Sequence, residues 1–246
     1  MTKRVLSIQS HVVYGTVGNK SATLPLQLLG FEVDPLNTVQ FSNHAEYEIF
    51  KGLAFNRQNI QDLFQGLILN EFVSEYTHMI TGYCGKAESL LEIYDFLVKQ
   101  KRDGLTIVVD PVLGDDNKLY VSNDQIPIYK QMIAIADLIT PNGFEAEILS
   151  GIKPSADNIR QVFDILHSFG PKMVLITSVI ESNGDKQSLV LYGSDNGKLF
   201  KIYIPKIEGR FVGTGDVFSA LVLGHLDKGL VKAYSREHLQ TKEEKK

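Results

Sequence analysis

Cysteine, long apolar runs and clustered positive charge are all scarce in this sequence. The single cysteine, Cys84, excludes an internal disulfide, and no apolar run is long enough to cross a membrane. Residues 1–4 lead directly into an apolar strand with no signal-peptide core, which together with the lone cysteine favours a cytoplasmic protein. A formal net charge of -4 without a long Lys/Arg cluster argues against nucleic acid and favours small-molecule partners.

Length and composition predict one globular domain. The chain has 246 residues, 43% of them hydrophobic and 22% charged, which is enough to bury a substantial core. No internal repeat or low-complexity linker divides it. We therefore assign residues 1–230 to a single domain and residues 231–246 to a short polar tail.

Predicted strands alternate with predicted helices along most of the chain. Apolar runs predict strands at residues 4–10, 31–34, 77–81, 105–109, 138–140 and 173–176, with a short extended piece at 38–44 and the last strand ending at Thr177 and Ser178. Helical spacing predicts helices at residues 19–29, 58–69, 86–101, 126–136 and 156–168. Residues 188–192 and 199–204 form a predicted hairpin through the turn 193–197. This order predicts an α/β fold with a mainly parallel central sheet, helices on both faces and an antiparallel hairpin.

Polar side chains follow the ends of the predicted parallel strands. They are Ser10, His11, Gly82, Tyr83, Asp110, Asp115, Asn142, Glu145, Thr177 and Ser178. The carboxyl ends of parallel strands meet at one edge of a sheet, where such folds bind ligands. Hydroxyl and carboxylate groups gathered there are typical of a magnesium-nucleotide site, although each residue alone could be an ordinary cap or turn residue.

A glycine turn at residues 211–216 leads into a further helix. Gly213 and Gly215 let backbone N–H groups converge, and the start of the helix adds its positive end, so the turn is suited to an anion. Asp216 stands at the start of that helix and could accept a proton, a pairing that suits phosphoryl transfer to a hydroxyl group. The alternative is that Thr214 or Asp216 only caps the helix.

Two other patterns have a structural alternative. Asn142 and Glu145 have the spacing of a helix capping box, which we weigh equally with a role near magnesium. Residues 15–21 superficially resemble a phosphate-binding loop, but Asn19 occupies the position before Lys20 where that loop requires glycine. We therefore do not predict such a loop.

Several motifs together resemble one family. They are V-L-S-I-Q-S-H at residues 5–11, V-Q-F-S-N-H at 39–44, T-G-Y at 81–83, D-P-V-L-G-D at 110–115, T-P-N-x-F-E at 140–145 and F-V-G-T-G-D at 211–216. Over residues 4–226 the chain resembles the pyridoxal kinases of the ribokinase-like superfamily, most closely the animal type. The glycine turn marks only the superfamily, whereas the first two motifs point to the pyridoxal branch.

The resemblance implies a three-layer ribokinase-like fold and ATP-dependent phosphorylation of the 5′-hydroxymethyl group of pyridoxal, pyridoxine and pyridoxamine. It implies that Asp216 is the base, contacting the substrate, and that the anion hole is made by Gly213, Thr214 and Gly215. The pyridine ring would be surrounded by Ser10, Val39, Phe41, His44 and Tyr83. The phosphates and the metal would lie near Asp110, Asp115, Asn142 and Glu145, with Asp110 and Glu145 toward the metal. The nucleotide would also contact Thr177, Ser178 and Gly213 and be covered by a loop carrying Tyr120. Mg²⁺, a monovalent cation such as K⁺, and a homodimer are further implications.

The sequence departs from the family at two places. Ala45 stands where the animal family usually has threonine, which removes a hydroxyl group beside the vitamer ring. Family members also continue well beyond the helix after the glycine turn, so we expect a shortened chain with a more open nucleotide site. That expectation leaves an alternative of another class, a non-catalytic vitamer-binding or dimerising protein. A kinase for a hydroxymethylpyrimidine or a sugar is a third hypothesis.

Overall fold

The computed structural model describes residues 3–183, 186–209 and 211–226, and its strands lie mainly in one sheet. The strands in chain order are β1 (Lys3–Val12), β2 (Phe31–Phe41), β3 (Gly52–Ala54), β4 (His78–Thr81), β5 (Thr106–Val109), β6 (Gly114–Asp115), β7 (Lys118–Leu119), β8 (Leu138–Ile139), β9 (Met173–Asn183), β10 (Lys186–Asp195) and β11 (Lys198–Ile204). Within the described residues, nine strands form the main sheet in the order β11-β10-β9-β8-β5-β4-β1-β2-β3, and β6 pairs only with β7.

Strand direction divides the main sheet into a parallel centre and antiparallel edges. Strands β2, β1, β4, β5, β8 and β9 run parallel to one another. Strand β3 is antiparallel to β2, and β10 is antiparallel to both β9 and β11. The carboxyl ends of the six parallel strands therefore lie along one edge of the sheet.

Helices cover both faces of the sheet. They are α1 (Asn19–Leu28), α2 (Arg57–Leu69), α3 (Ala87–Gln100), α4 (Gln125–Ile135), α5 (Gly143–Ser150), α6 (Ile159–Ser168) and α7 (Thr214–Leu226), with a 3₁₀ helix at Phe72–Glu75. Helices α1 and α7 pack together on one face through a core that includes Ala22, Leu26, Ala220 and Leu223. Helices α2 to α6 contribute to a separate, larger core on the other face. The result is three layers, with the sheet in the middle.

The sequence pattern explains why these elements form and which way they face. Strand β5 buries Ile107 in the larger core and Val108 in the core under α1 and α7, as expected for a central strand with both faces covered. Helix α6 buries Ile159, Val162, Phe163 and Leu166, whose spacing places one apolar stripe against the sheet.

The predicted fold class and the antiparallel edge hairpin are confirmed, but three boundaries were wrong. Strand β9 does not end at Thr177 and Ser178, because it continues to Asn183 in pairing with β10. Residues 31–34 and 38–41 belong to one strand, β2. The hairpin turn is tighter than predicted, since Gly193 still pairs with Phe200 and the chain reverses at residues 196–197.

Two further expectations bear on the fold. No helix among the described residues is long and apolar enough to cross a membrane. The predicted domain boundary at residue 230 and the polar tail at residues 231–246 lie outside the described residues.

Candidate active site

The glycine turn and the start of α7 form the centre of the candidate site. Gly213 has φ of +76°, and a Cβ there would lie only 2.2 Å from the carbonyl oxygen of Thr16. The first intrahelical bond of α7 is donated by the N–H of Val217 to the carbonyl of Gly213. The N–H groups of residues 214–216 precede that bond, so they have no acceptor within the helix. Together with the helix dipole they make this end of α7 suited to a phosphate group.

Asp216 is held from the opposite end of the chain. Its Oδ2 accepts a 2.8 Å hydrogen bond from the backbone N–H of Gly18, in the loop between β1 and α1. Burial raises the pKa of Asp216 to about 6, and the Gly18 hydrogen bond acts in the opposite direction. Asp216 is therefore a stronger base than an exposed aspartate, yet it is still ionised at neutral pH.

Asp110 lies beside this turn in a buried chain of polar groups. Ser219, one turn along α7 from Asp216, donates a 3.0 Å hydrogen bond to Oδ2 of Asp110. Thr140 shares a 2.8 Å hydrogen bond with the same hydroxyl, so Thr140 donates to Ser219 when Ser219 donates to Asp110. Burial, and then repulsion from Asp216, raise the pKa of Asp110 to about 7. An ideal Cβ on Gly215 would lie 3.9 Å from Asp110 Oδ2, so the anion-binding turn and this carboxylate are neighbours.

Asn142 and Glu145 form the predicted capping box at the start of α5. The side chain of Asn142 accepts from the N–H of Glu145, and Oε2 of Glu145 accepts from the N–H of Asn142. Oε1 of Glu145 also accepts a 2.9 Å bond from the N–H of Leu113, and Asn142 Nδ2 donates to the carbonyl of Gly114. The capping interpretation is thus confirmed, and the same pair fixes the segment that leaves β5.

Glu145 is also electrostatically linked to Asp110. Burial, followed by repulsion from Asp110, raises the pKa of Glu145 well above its ordinary value. Among the described residues, no group of three or more His, Cys, Asp or Glu side chains is arranged to hold a metal ion. A cation at this site would therefore need further ligands from a bound substrate or from water.

Thr177 and Ser178 reach the site through a β-bulge. Val190 of β10 pairs with Val179 and Tyr192 pairs with Ile176, so two residues of β9 lie opposite one residue of β10. Ser178 has φ of +60°, a conformation that bends the strand at this point. Thr177 forms a bridge with Asn142, so the bulge brings both predicted nucleotide contacts next to the start of α5.

The residues predicted around the pyridine ring come from three neighbouring strand ends. Ser10 lies against Gly18, the residue that holds Asp216, since a Cβ on Gly18 would lie 2.4 Å from Oγ of Ser10. Val39 and Tyr83 both flank Gly85, where an added Cβ would lie 2.8 Å and 4.0 Å from their side chains. Phe41 ends β2, and its ring packs on Phe50 at 5.3 Å between centroids.

His44, Asp115 and Tyr120 lie on two segments above this edge of the sheet. His44 belongs to the loop at residues 42–51, which we call the ring-side loop, and its ring packs on Tyr47 at 4.6 Å. Asp115 lies in β6, and Tyr120 follows β7. Partial burial raises the pKa of Asp115, and the nearby charge of Glu46 adds to this effect. The structure thus brings all of the predicted residues to one edge of the sheet or to the segments directly above it.

Four residues that contact the candidate site were not predicted from the sequence. They are Gly18, Glu46, Thr140 and Ser219. A usable signal existed for Ser219, a hydroxyl in an otherwise apolar helical run, three residues after Asp216. The pattern around Thr140 indicates only a strand, and residues 15–21 lack the glycine that a phosphate-binding loop requires. For Glu46 the sequence carried no signal, because its partner Tyr120 is 74 residues away.

The chain is similar to a known family profile and to known proteins along most of its length. A family profile described as phosphomethylpyrimidine kinase matches residues 68–235. The pyridoxal kinase of Arabidopsis thaliana is 46% identical over 237 residues, which cover 92% of this chain and 75% of that protein. The pyridoxal kinase of Homo sapiens is 43% identical over 243 residues, which cover 92% of this chain and 78% of that protein.

Solved structures give the same result at the level of the fold. The pyridoxal kinase of Leishmania donovani in complex with ADP and pyridoxamine superposes with a TM-score of 0.84 at 34% identity, covering 92% of this chain and 79% of that chain. The pyridoxal kinase of Entamoeba histolytica superposes with a TM-score of 0.86 at 29% identity, covering 93% of this chain and 83% of that chain.

Proposed function

The chain belongs to the pyridoxal kinase family, and we propose that it transfers the terminal phosphoryl group of ATP to the 5′-hydroxymethyl group of pyridoxal, pyridoxine and pyridoxamine. The observation that carries the proposal is the placement of Asp216. The carboxylate of Asp216 is removed from water, accepts a hydrogen bond from the backbone N–H of Gly18, and lies within the first turn of α7, whose start can bind an anion. A base beside a phosphate site is what phosphoryl transfer to an alcohol needs.

Asp216 acts as the general base. The substrate hydroxyl oxygen attacks the terminal phosphorus, the bond between that phosphorus and the bridging oxygen of ADP breaks, and the hydroxyl proton passes to Asp216. The Gly18 hydrogen bond is made to Oδ2, so Oδ1 is the oxygen that we propose as the proton acceptor. The N–H groups at the start of α7 stabilise the negative charge on the transferring group.

Mg²⁺ is proposed at the carboxylate side of the site. The residues present fit a cation, because the carboxylates of Asp110 and Glu145 are buried, repel each other and have raised pKa values that a positive charge would lower. When bound, the ion would neutralise charge on the phosphates. Both oxygens of Glu145 already accept backbone N–H groups, so Asp110 is the better candidate for direct contact. A monovalent cation, K⁺ by family resemblance, is proposed for the same negative region.

The vitamer ring is proposed to lie among Ser10, Val39, Phe41, His44 and Tyr83, on the β1–β2–β4 side of Asp216. The carboxyl end of β8 and the adjacent bulge of β9, with Asn142, Thr177 and Ser178, would hold the nucleotide. Asp216 adjoins both proposed groups of residues. It contacts Gly18, which lies beside Ser10, and the neighbouring Gly215 lies beside Asp110. No feature of the described residues favours the non-catalytic alternative.

A coupled assay of ADP formation tests this function. The full chain is incubated with ATP, Mg²⁺ and each of pyridoxal, pyridoxine, pyridoxamine and a hydroxymethylpyrimidine. We expect turnover with the vitamers and a loss of several orders of magnitude in Asp216→Asn, which keeps the shape but not the basicity. Asp164→Asn, on the exposed side of α6, is the matched control and should retain wild-type turnover. Equal activity of wild type and Asp216→Asn would contradict the base assignment, and faster turnover of the pyrimidine would contradict the substrate assignment.

Assembly and cellular location are proposed from the family resemblance and from the sequence. A homodimer is proposed from the family resemblance, and analytical ultracentrifugation of the full chain tests it. A cytoplasmic location is proposed from the lone cysteine and the composition, and imaging of a tagged full chain tests it.

A further inference from the structure

One carboxylate joins the ring-side loop to the β6–β7 hairpin. Oε1 of Glu46 accepts a 3.2 Å hydrogen bond from the hydroxyl group of Tyr120, which follows the hairpin. Oε2 of the same side chain lies 3.6 Å from Nδ1 of His44. The two oxygens of Glu46 therefore face two different parts of the proposed site, the vitamer side through His44 and the nucleotide side through Tyr120.

The hairpin side of this link is connected to the phosphate end of the site. The N–H of Tyr120 donates a 2.8 Å hydrogen bond to the carbonyl of Leu113, whose own N–H donates to Glu145 at the start of α5. A continuous hydrogen-bonded path thus runs from the start of α5 through Leu113 and Tyr120 to Glu46. A shift of the hairpin toward or away from a nucleotide would be transmitted to Glu46 along this path.

The ring-side loop is held in a way that makes the contact specific. Its ends are tied by a 2.7 Å hydrogen bond from the N–H of Ser42 to the carbonyl of Lys51. His44 packs on Tyr47 within the loop, and only about a fifth of its side chain is exposed (19%). Because the loop is closed at its base and packed internally, anchoring Glu46 also limits where His44 can lie.

Charge keeps the Tyr120 hydroxyl a donor in this arrangement. Burial, and then the charges of Glu46 and Asp115, raise the pKa of Tyr120. The phenol therefore stays protonated at neutral pH and can donate to the carboxylate, and a bond of this kind is charge-assisted. Such a bond is directional and is lost when either partner is removed.

We propose that Glu46 is a positioning residue that couples the two substrate sites, so that binding of a vitamer at the ring-side loop strengthens binding of the nucleotide under the β6–β7 hairpin. The inference rests on the proposed function, because it takes the vitamer and the nucleotide as the two ligands. Binding of either ligand would order the segment that contacts it. Because Glu46 links the two segments, the second ligand would then lose less conformational entropy on binding. The coupling is reciprocal by thermodynamic necessity.

Calorimetry with ADP and pyridoxal measures this coupling directly. The Kd of ADP is determined for the full chain with and without saturating pyridoxal, for wild type, Glu46→Ala, Tyr120→Phe and the double variant. Glu48→Ala is the matched control, because it removes an exposed carboxylate from the same loop. We expect pyridoxal to tighten ADP binding in wild type, and Glu46→Ala to reduce that effect by about three- to tenfold, as expected for one solvent-exposed hydrogen bond of ordinary strength.

Kinetics supply a second readout that a merely structural role would not produce. Glu46→Ala should raise the KM for both substrates and leave kcat within about twofold, because the residue does not touch the reacting atoms. Glu46→Gln, which keeps an acceptor for Tyr120, should recover most of the coupling. The double variant should lose no more than Glu46→Ala alone, since both changes break the same bond.

The outcomes separate the inference from the proposed function. If wild type phosphorylates vitamers but Glu46→Ala keeps the full wild-type coupling, or Glu48→Ala loses as much, the inference is wrong and the function stands. If wild type shows no coupling between pyridoxal and ADP, the inference is also wrong. If wild type neither binds the vitamer nor turns it over, the proposed function fails and the inference fails with it.

Discussion

The backbone N–H of Gly18 donates a 2.8 Å hydrogen bond to Oδ2 of Asp216, across 198 residues of sequence. Gly18 has φ of +55°, and a Cβ at this position would lie 2.1 Å from the carbonyl oxygen of Ser10. Only glycine can therefore bring this N–H to the carboxylate while Ser10 keeps its place. The loop at residues 15–21, which lacks the glycine of a phosphate-binding loop, instead orients the carboxylate that we propose as the base.

Replacement of Gly18 by alanine should lower kcat by about 100-fold or more, because the added Cβ moves the loop and misplaces Asp216. Gly15→Ala is the matched control. Gly15 also has a positive φ, of +91°, but an added Cβ there meets nothing within 4 Å. Thermal melts should show a similar effect of backbone strain in both variants. Steady-state kinetics should show a large loss of kcat only in Gly18→Ala. Equal kinetic losses would indicate that strain, and not the contact, is responsible.

The rate should fall as the pH drops through about 6. The proton acceptor must be ionised, and burial raises the pKa of Asp216 to about 6 from an ordinary value near 4. Protonation therefore removes the base at a higher pH than for an exposed aspartate. The measurement is kcat between pH 5 and pH 8 with Mg²⁺, ATP and vitamer saturating. Pyridoxal and pyridoxine should give the same fall in rate at acidic pH if the enzyme is the titrating partner, whereas a kcat that stays constant down to pH 5 would contradict the assignment.

Asp110→Asn should stabilise the folded chain at pH 8 in the absence of ligands. The folded-state pKa of Asp110 is raised to about 7, above its unfolded value, so the folded state binds more protons between these values. Stability from this group is therefore lost as the pH rises through about 7 and regained as the pH falls. A shift of this size corresponds to roughly 1–4 kcal/mol.

Urea denaturation at two pH values checks the sign of this effect. The gain from Asp110→Asn should be largest at pH 8 and smaller at pH 5, where wild-type Asp110 is mostly protonated. Asp164→Asn, an exposed change, should alter stability little at either pH. A variant that is less stable than wild type at pH 8 would show that Asp110 has a compensating partner.

Ser219→Ala should reduce both stability and activity, whereas Ser89→Ala should reduce stability alone. Each serine is buried and donates one hydrogen bond, Ser219 to Asp110 and Ser89 to the carbonyl of Phe55 on the other side of the sheet. Leaving a buried acceptor without its donor costs about 1–3 kcal/mol in either case. Only Ser219 touches the site, so chemical denaturation paired with kinetics should separate the two variants. Unchanged kinetics in Ser219→Ala would mean that Asp110 keeps its position without this hydrogen bond.

Strand ends were the part of the site that the sequence could predict. Asp110, Asn142 and Thr177 each come after a buried apolar run of the sequence, and parallel strands bring such positions to one edge of the sheet whatever the details of packing. The capping box at Asn142 was predictable for the same reason, since both partners lie within one helical turn. These features depend only on the local sequence pattern and on the parallel direction of the central strands.

Contacts between distant segments could not be predicted in this way. The bulge at Thr177 and Ser178 depends on how β9 pairs with β10, and the pattern of apolar residues does not encode that register. The β6–β7 hairpin is positioned by Glu145, whose carboxylate holds backbone N–H groups about 30 residues earlier in the chain. Glu46 and Tyr120 meet only because two segments above the sheet happen to approach, which requires the folded chain.

The packing of α1 against α7 has a consequence for the order in which the protein is made. Gly18 leaves the ribosome before its partner Asp216, which follows 198 residues later, a delay of about 10–40 s at ordinary rates of translation. Until α7 arrives, the face of the sheet that carries α1 lacks the apolar side chains of Ala220 and Leu223. Until then, the nascent chain can neither bury that face nor hold the carboxylate that we propose as the base.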